Sequence, residues 1–167
     1  MTVDVLAHGL WGGVLFGQKS EWQWRTAFLL GAAPDVIAFG PFLISQVGSN
    51  AWVDFPPYVH QTYNVTHSLV VWGAVTALVW MFMRKFPWVM CAWGLHIVCD
   101  IPLHEITFFP TPYLWPLRTH LVNGVRWAQL WLLFPNYLAL TLVYAFWWRR
   151  RRLILPSITG LKGTGCS

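Results

Sequence analysis

Residues 127–152 read WAQLWLLFPNYLALTLVYAFWWRRRR, a stretch that has no charged residue in its first 22 positions and then carries four arginines in succession. About 20 apolar residues are needed for an α-helix to cross the hydrocarbon of a bilayer. Arginines directly after such a segment mark the cytoplasmic side of a membrane protein. The stretch therefore predicts a transmembrane helix whose far end lies in the cytoplasm.

The composition of the whole chain agrees with this interpretation. Of the 167 residues, 56% are hydrophobic and 10% are charged, and the mean hydropathy is +0.49, whereas soluble domains carry roughly 25% charged residues. We therefore expect an all-α, polytopic transmembrane helical bundle, formed by residues 1–154 and followed by a flexible cytoplasmic tail at 155–167. Residues 48–64 and 102–126 are rich in proline and are expected to form ordered loops rather than helices. About five membrane segments are predicted, at residues 3–17, 26–47, 65–83, 86–103 and 127–148.

The positive charges indicate an orientation rather than a nucleic-acid partner. The net charge is +5, but the basic residues flank apolar runs. Nine of the eleven fall on one side of the predicted membrane, and only Arg118 and Arg126 fall on the other. The excess of Lys and Arg in cytoplasmic loops predicts an outside N-terminus and a cytoplasmic C-terminus. The expected location is the inner (cytoplasmic) membrane, in a multi-pass arrangement within the lipid bilayer.

Five ionisable residues lie inside or at the ends of apolar runs, where an ionisable group is costly and usually functional. On one helix, His96 and Asp100 are four residues apart and share a face, so both side chains can reach one ion. Thr66 and Ser68 flank His67, and their hydroxyls can orient its ring or cap the start of the helix. The candidate metal ligands are His8, Asp35, His67, His96 and Asp100.

Nitrogen and oxygen donors without a thiolate suit a divalent metal, with zinc expected first and manganese or iron as alternatives. A metal with an open coordination position activates water for hydrolysis, and Glu105 or His104 is the expected catalytic proton carrier. Two other interpretations stay open. The histidines could be axial ligands of a haem, or the acids and histidines could form a proton path.

The ordered motifs of residues 8–116 resemble the YdjM-like family of inner-membrane proteins, which are described as metal-dependent hydrolases. These motifs are Ala7-His8-Gly9, Gly31-Ala32-Ala33-Pro34-Asp35, Asn64-Val65-Thr66-His67-Ser68-Leu69, His96-Ile97-Val98-Cys99-Asp100 and Thr111-Pro112-Tyr113-Leu114-Trp115-Pro116. The resemblance implies the same five metal residues. This chain has Ile37 where many members carry a second aspartate, and it has His104 and Glu105 directly after the His-x-x-x-Asp motif.

The expected function is a membrane-embedded, metal-dependent hydrolase that uses metal-activated water to attack an ester or phosphoester, with a lipid or lipid-linked molecule as the candidate substrate. The alternative is a non-catalytic membrane subunit that retains the hydrolase-like scaffold and packs against membrane-protein partners through its tryptophan-rich surface. Bound metal in the isolated chain would favour the enzyme. Stoichiometric partners without metal would favour the subunit.

Overall fold

The computed structural model describes residues 4–49 and 54–159, with side chains as far as residue 150. This part of the chain contains helices and no strand, so the all-α prediction is confirmed. The residues up to Gln129 form one compact unit, and those from Leu130 form a second. The helices are α1 (Val5–Phe16), α2 (Glu21–Ser45), α3 (Pro57–Thr66), α4 (Leu69–Met83), α5 (Cys91–Leu103) and α6 (Leu130–Thr159).

The number of membrane spans is smaller than the five that were predicted. By length and composition, the candidate spans among the described residues are Glu21–Ser45 and Leu130–Arg150. A third is possible if α3 and α4, which form a bent pair, count as one span. The first apolar run folds into α1, which has 12 residues. The fourth folds into a 3-10 helix of 3 residues, Trp88–Met90, followed directly by the 13 residues of α5. At 1.5 Å per α-helical and 2.0 Å per 3-10 residue these segments reach about 18 and 26 Å, less than the ~30 Å of hydrocarbon.

The third apolar run is interrupted near its start. α3 ends at Thr66, α4 begins at Leu69, and the two helices are bent by 56°. The hydroxyl of Ser68 caps α4 by accepting hydrogen bonds from the backbone N–H groups of Val70 (3.1 Å) and Val71 (3.2 Å), which supply a partner for two donors at the start of the helix. The break leaves His67 between the two helices.

Most of α3 lies where an ordered loop was predicted, so that prediction is wrong for residues 57–64. The last two residues of α3 belong to the third predicted apolar run. Pro57 occupies the start of the helix, where its missing N–H costs nothing and its fixed φ favours helical geometry. The second predicted loop is confirmed over residues 104–126, which contain no helix. Residues 127–129, which were predicted as the start of the fifth membrane segment, also lie outside the helices. α5 nevertheless continues through Pro102 to Leu103. The predicted tail at 155–167 begins inside α6, and residues 160–167 lie outside the described part of the chain.

Helices α1, α2 and α5 pack closely because small residues line their contacts. A Cβ added to Gly31 of α2 would lie 2.5 Å from the carbonyl oxygen of His8 in α1. One added to Gly12 would lie 2.7 Å from the carbonyl oxygen of Ala27 and 2.9 Å from the Cβ of Ala92. Glycine at these two positions lets the backbones approach closely. This packing brings the polar residues of three helices together.

The loop that follows α5 folds back over the C-terminal end of that helix. The backbone N–H groups of Gly124, Val125 and Trp127 donate to the carbonyl oxygens of His104 (2.9 Å), Pro102 (2.8 Å) and Leu103 (3.1 Å). These bonds supply partners for carbonyl groups that a helix end leaves unpaired. α2, α3 and this loop share a buried aromatic and aliphatic core, which comprises Ala38, Phe42, Val59, Tyr63 and Phe109.

Candidate metal centre

Four of the predicted ligands come together in the interior of the larger unit. Asp35 comes from α2, His67 from the break between α3 and α4, and His96 and Asp100 from α5. One ligand atom from each residue lies within 4.8 Å of the other three. All four residues are at most 4% exposed. The group, called the Asp–His cluster below, could hold a metal ion.

The closest approaches within the cluster run between the imidazole rings and between the rings and the carboxylates. The Nε2 atoms of His67 and His96 lie 3.1 Å apart. The Oδ2 atom of Asp100 lies 3.4 Å from Nε2 of His67 and 3.2 Å from Nε2 of His96. The Oδ1 atom of Asp35 lies 3.4 Å and 3.8 Å from the same two nitrogens. The four side chains therefore point toward one common region.

Hydrogen bonds on the far sides of the two rings set their tautomers. The Nδ1–H of His96 donates to the carbonyl oxygen of Gly31 at 2.7 Å. The Nδ1–H of His67 donates to the carbonyl oxygen of Tyr63 at 3.2 Å and lies 3.0 Å from the hydroxyl of Thr66. That hydroxyl donates in turn to the carbonyl of Thr62. With the proton on Nδ1, each neutral ring presents the lone pair of Nε2 to the cluster, as a metal-binding histidine does.

This arrangement of acceptors fits a divalent cation. The Oδ2 atoms of Asp35 and Asp100 are buried and have no hydrogen-bond partner, although an unpaired buried carboxylate oxygen is costly. Ligand atoms about 2.0–2.2 Å from a tetrahedral ion lie roughly 3.4 Å from one another. The separations of 3.1, 3.2 and 3.4 Å in the cluster are close to that spacing.

His8, the fifth predicted ligand, lies beside the cluster and contacts Asp100. Its Nε2 is 3.1 Å from Oδ1 of Asp100, and its side chain is 11% exposed. The ring centroids of His8 and His96 are 4.0 Å apart. The two oxygens of Asp100 thus have different neighbours, because Oδ1 faces His8 and Oδ2 faces His67 and His96. In this position His8 can orient the carboxylate.

The two predicted proton carriers have different surroundings. His104 is 5% exposed; its Nδ1–H donates to the backbone carbonyl of Asp100 at 3.2 Å and lies 3.9 Å from Oδ1 of the same residue. Glu105 is partly exposed and forms a salt bridge with Arg126, whose Nε–H donates to Oε1 at 3.0 Å. The guanidinium of Arg126 lowers the pKa of the Glu105 carboxyl below its ordinary value.

Two further residues support the cluster and were missed from the sequence. The Tyr63 ring stacks on His67 with centroids 3.8 Å apart, and its hydroxyl donates to the carbonyl of Phe109 at 3.0 Å. Tyr63 is four residues before His67, a helical spacing that would have shown the contact had α3 been predicted. The contribution of Gly31 is a backbone carbonyl, which no side-chain pattern reveals.

The loop that contains Thr111-Pro112-Tyr113-Leu114-Trp115-Pro116 is bonded to the break between α3 and α4. The Ser68 hydroxyl donates to the carbonyl of Trp115, and the backbone N–H of Leu69 donates to the carbonyl of Tyr113 at 3.0 Å. On the other side, the indole N–H of Trp93 donates to the carbonyl of Thr66 at 2.7 Å. These bonds fix the backbone on both sides of His67.

No protein-family model matches the chain, and no curated protein or solved structure is significantly similar to it.

Proposed function

We propose that this chain is a membrane-embedded, metal-dependent hydrolase of the inner membrane that cleaves an ester or phosphoester bond. The observation that carries the proposal is the Asp–His cluster, in which two imidazole nitrogens and two carboxylates converge in a buried space. The resemblance of the motifs to the YdjM-like family points to the same class of activity. Apolar helices long enough to cross a bilayer support a membrane location.

Asp35, His67, His96 and Asp100 would hold the metal, and zinc suits two imidazoles and two carboxylates best, with manganese or iron as alternatives. When bound, the metal would polarise the carbonyl or phosphoryl oxygen of the substrate and acidify water. His8 would keep Asp100 in place through its contact with Oδ1. Partners of this kind around a ligand typically change metal affinity by 10–100-fold.

Of the two proton carriers, we assign the role to His104. The Nδ1 of His104 is occupied by the backbone carbonyl of Asp100, so Nε2 is the nitrogen that would take a proton from water and pass it to the leaving group. A salt bridge already engages the carboxylate of Glu105, and a lowered pKa makes a carboxylate a weaker base. Glu105 would instead hold the loop through Arg126.

The geometry supports the other interpretations less well. A haem requires imidazole ligands on an iron that already has four porphyrin nitrogens, whereas here two carboxylates accompany two Nε2 atoms that are 3.1 Å apart. A proton path requires groups in sequence across the bilayer, whereas the four residues converge within 4.8 Å. A compact group of ligands is typical of an ion site.

Elemental mass spectrometry on detergent-purified protein without a metal-affinity tag tests the proposal. We expect about one or more equivalents of metal in the wild type and loss of it in the double variant His96→Ala with Asp100→Asn. His120→Ala is the matched control, because His120 is exposed and outside the cluster. Wild-type protein that retains metal is then assayed on a panel of phosphoesters and lipid esters, with Asp100→Asn as the inactive comparison.

Each outcome separates the enzyme from the alternative subunit. Metal in the wild type, together with hydrolysis that Asp100→Asn abolishes, supports the hydrolase. A folded, metal-free wild type that purifies with stoichiometric membrane partners would reject it in favour of the non-catalytic subunit.

A further inference from the structure

An apolar cavity of about 130 Å³ lies next to the Asp–His cluster. Its polar lining residues are Asp35 of the cluster and His104, the assigned proton carrier. The other lining residues are apolar and come from α1, α2 and the loop after α5: Val5, Val36, Phe39, Gly40, Leu43, Phe108 and Phe109. A substrate in this cavity would therefore contact the metal centre and the proton carrier at its polar wall.

Asp35 connects the cluster and the cavity. Its Oδ1 faces Nε2 of His67 at 3.4 Å, its Oδ2 is buried without a hydrogen-bond partner, and the residue is only 4% exposed. The same residue lines the cavity. The reacting bond of a substrate held there would lie at the junction of the cavity and the cluster, with the apolar part of the molecule away from it.

Among the residues that the structure describes, the lining contains no Lys or Arg. Phosphate recognition commonly uses charge-assisted hydrogen bonds from such cations, so this cavity suits an uncharged hydrocarbon group better than a phosphate. Its volume also limits the occupant. An engineered apolar cavity of about 150 Å³ binds benzene, so the present cavity has space for about five carbon atoms.

We infer that the substrate is a carboxylic ester whose acyl chain enters this cavity with its first carbon atoms. The inference rests on the proposed hydrolase function and narrows its substrate class. Hydrolysis would break the acyl C–O bond, add the hydroxyl of water to the carbonyl carbon and return a proton to the departing alcohol. The product acid would keep its alkyl chain in the cavity and its carboxylate at the metal.

Binding of product-like acids tests the inference without an activity assay. The affinities of acetate, propanoate, butanoate and pentanoate for the metal-loaded wild type are measured by titration calorimetry in detergent. Because each buried methylene contributes about 0.8 kcal/mol, we expect the affinity to rise roughly fourfold per methylene. These short chains stay in water, so partition into the micelle does not account for the rise.

A substitution that fills the cavity provides the matched comparison. Apart from the backbone of its own helix, the only described atom that a Cβ at Gly40 would meet is Cγ1 of Val36, at 3.7 Å, which is ordinary contact. Because Gly40 lines the cavity, we expect the side chain of Gly40→Leu to extend into it. We expect pentanoate to bind this variant no better than acetate does. Gly73→Leu is the control, because no described atom beyond the backbone of its own helix lies within 4 Å of a Cβ at Gly73, and this residue of α4 is outside the cavity. The affinity of this variant should rise with chain length as it does in the wild type.

The two proposals fail in different ways. A wild type that holds metal but binds all four acids equally would overturn the acyl-chain inference and leave the metal centre intact. If the affinity of Gly40→Leu for the acids still rose with chain length, the alkyl chain would bind outside the cavity. That result would also overturn the acyl-chain inference. A wild type that holds no metal would reject the proposed hydrolase, and this inference with it.

Discussion

The Nε2 atoms of His67 and His96 lie 3.1 Å apart, although hydrogen bonds place the proton of each ring on Nδ1. With both rings neutral, their two Nε2 lone pairs therefore face each other, with two carboxylates beside them. Such a group of acceptors is stabilised by a shared cation and is unfavourable without one. The folded state should consequently be more stable with metal than without it.

Removal of metal should lower the thermal stability of the protein. A ligand that binds only the folded state at 100 times its Kd adds about 2.7 kcal/mol to the free energy of unfolding. We expect a chelator to lower the Tm of the detergent-purified wild type and added zinc to restore it. The Tm of His67→Ala should not respond to either treatment. An unchanged wild-type Tm at a chelator concentration that strips all metal would contradict the prediction.

Replacement of His8 should weaken metal binding without abolishing it. The ligand atoms that converge in the cluster come from Asp35, His67, His96 and Asp100. Oδ2 is the Asp100 oxygen that approaches the two histidines of the cluster, whereas His8 contacts the other oxygen, Oδ1. Loss of a residue that orients a metal ligand typically costs 10–100-fold in affinity. Competition with a fluorescent zinc chelator should therefore show an intermediate affinity for His8→Ala.

The same competition on two other variants provides the reference points. His120→Ala should bind like the wild type, and His96→Ala should lose most of its binding. If His8→Ala bound metal as weakly as His96→Ala, His8 would itself be a metal ligand. If it bound metal as tightly as the wild type, His8 would have no role in metal binding.

The contact between α1 and α2 should not tolerate a side chain at Gly31. A Cβ there would lie 2.5 Å from the carbonyl oxygen of His8, so the helices must separate. Overpacking of this kind costs about 1–3 kcal/mol. Gly31 also supplies the carbonyl that orients His96, so Gly31→Ala should lose metal affinity as well as stability. Thermal unfolding and metal content measure the two effects.

Gly73→Ala is the control for helix propensity. In the described part of the chain, no atom outside the backbone of its own helix lies within 4 Å of a Cβ at this position. Alanine is favoured over glycine in a helix by about 1 kcal/mol. The variant should be as stable as the wild type or more stable. If Gly31→Ala matched it in both Tm and metal content, the close contact with His8 would not constrain the site.

The sequence was sufficient to find the cluster residues but not their arrangement. His96 and Asp100 share a face because helical periodicity requires it, and Asp35 and His67 were conspicuous as ionisable residues in apolar runs. The position of His8 beside Asp100 depends on how closely α1 approaches α2 at Gly31, a contact between residues 23 positions apart in the chain. Composition carries no such information.

The number of spans was overestimated for a related reason. Hydropathy records that a run is apolar, but it does not record where its helix breaks or how deeply it is buried by its neighbours. The break at His67 and Ser68 depends on bonds to distant residues, including the carbonyls of Tyr113 and Trp115. Local propensity alone does not show that an apolar run divides at such a point.

The salt bridge between Glu105 and Arg126 should be visible in the acid titration of the protein. Arg126 lowers the pKa of Glu105 below the ordinary value of 4.5. A lowered pKa means that the pair stabilises the folded state fully above that value, and that this stabilisation is lost as the pH falls through the lowered pKa. The stability difference between wild type and Glu105→Gln should therefore shrink in that acidic window and stay constant above it.

Direct titration checks the shift itself. Glu21 is the other glutamate in the sequence, so side-chain ¹³C-labelled glutamate gives two carboxyl signals, and Glu105→Gln assigns them. We expect the Glu105 signal to titrate below 4.5 in the wild type and to move up in Arg126→Gln, since the cation that favours the charged carboxylate is then absent. A Glu105 pKa that is the same in both proteins would show that the salt bridge does not form in solution, and it would return Glu105 to consideration as the proton carrier beside His104.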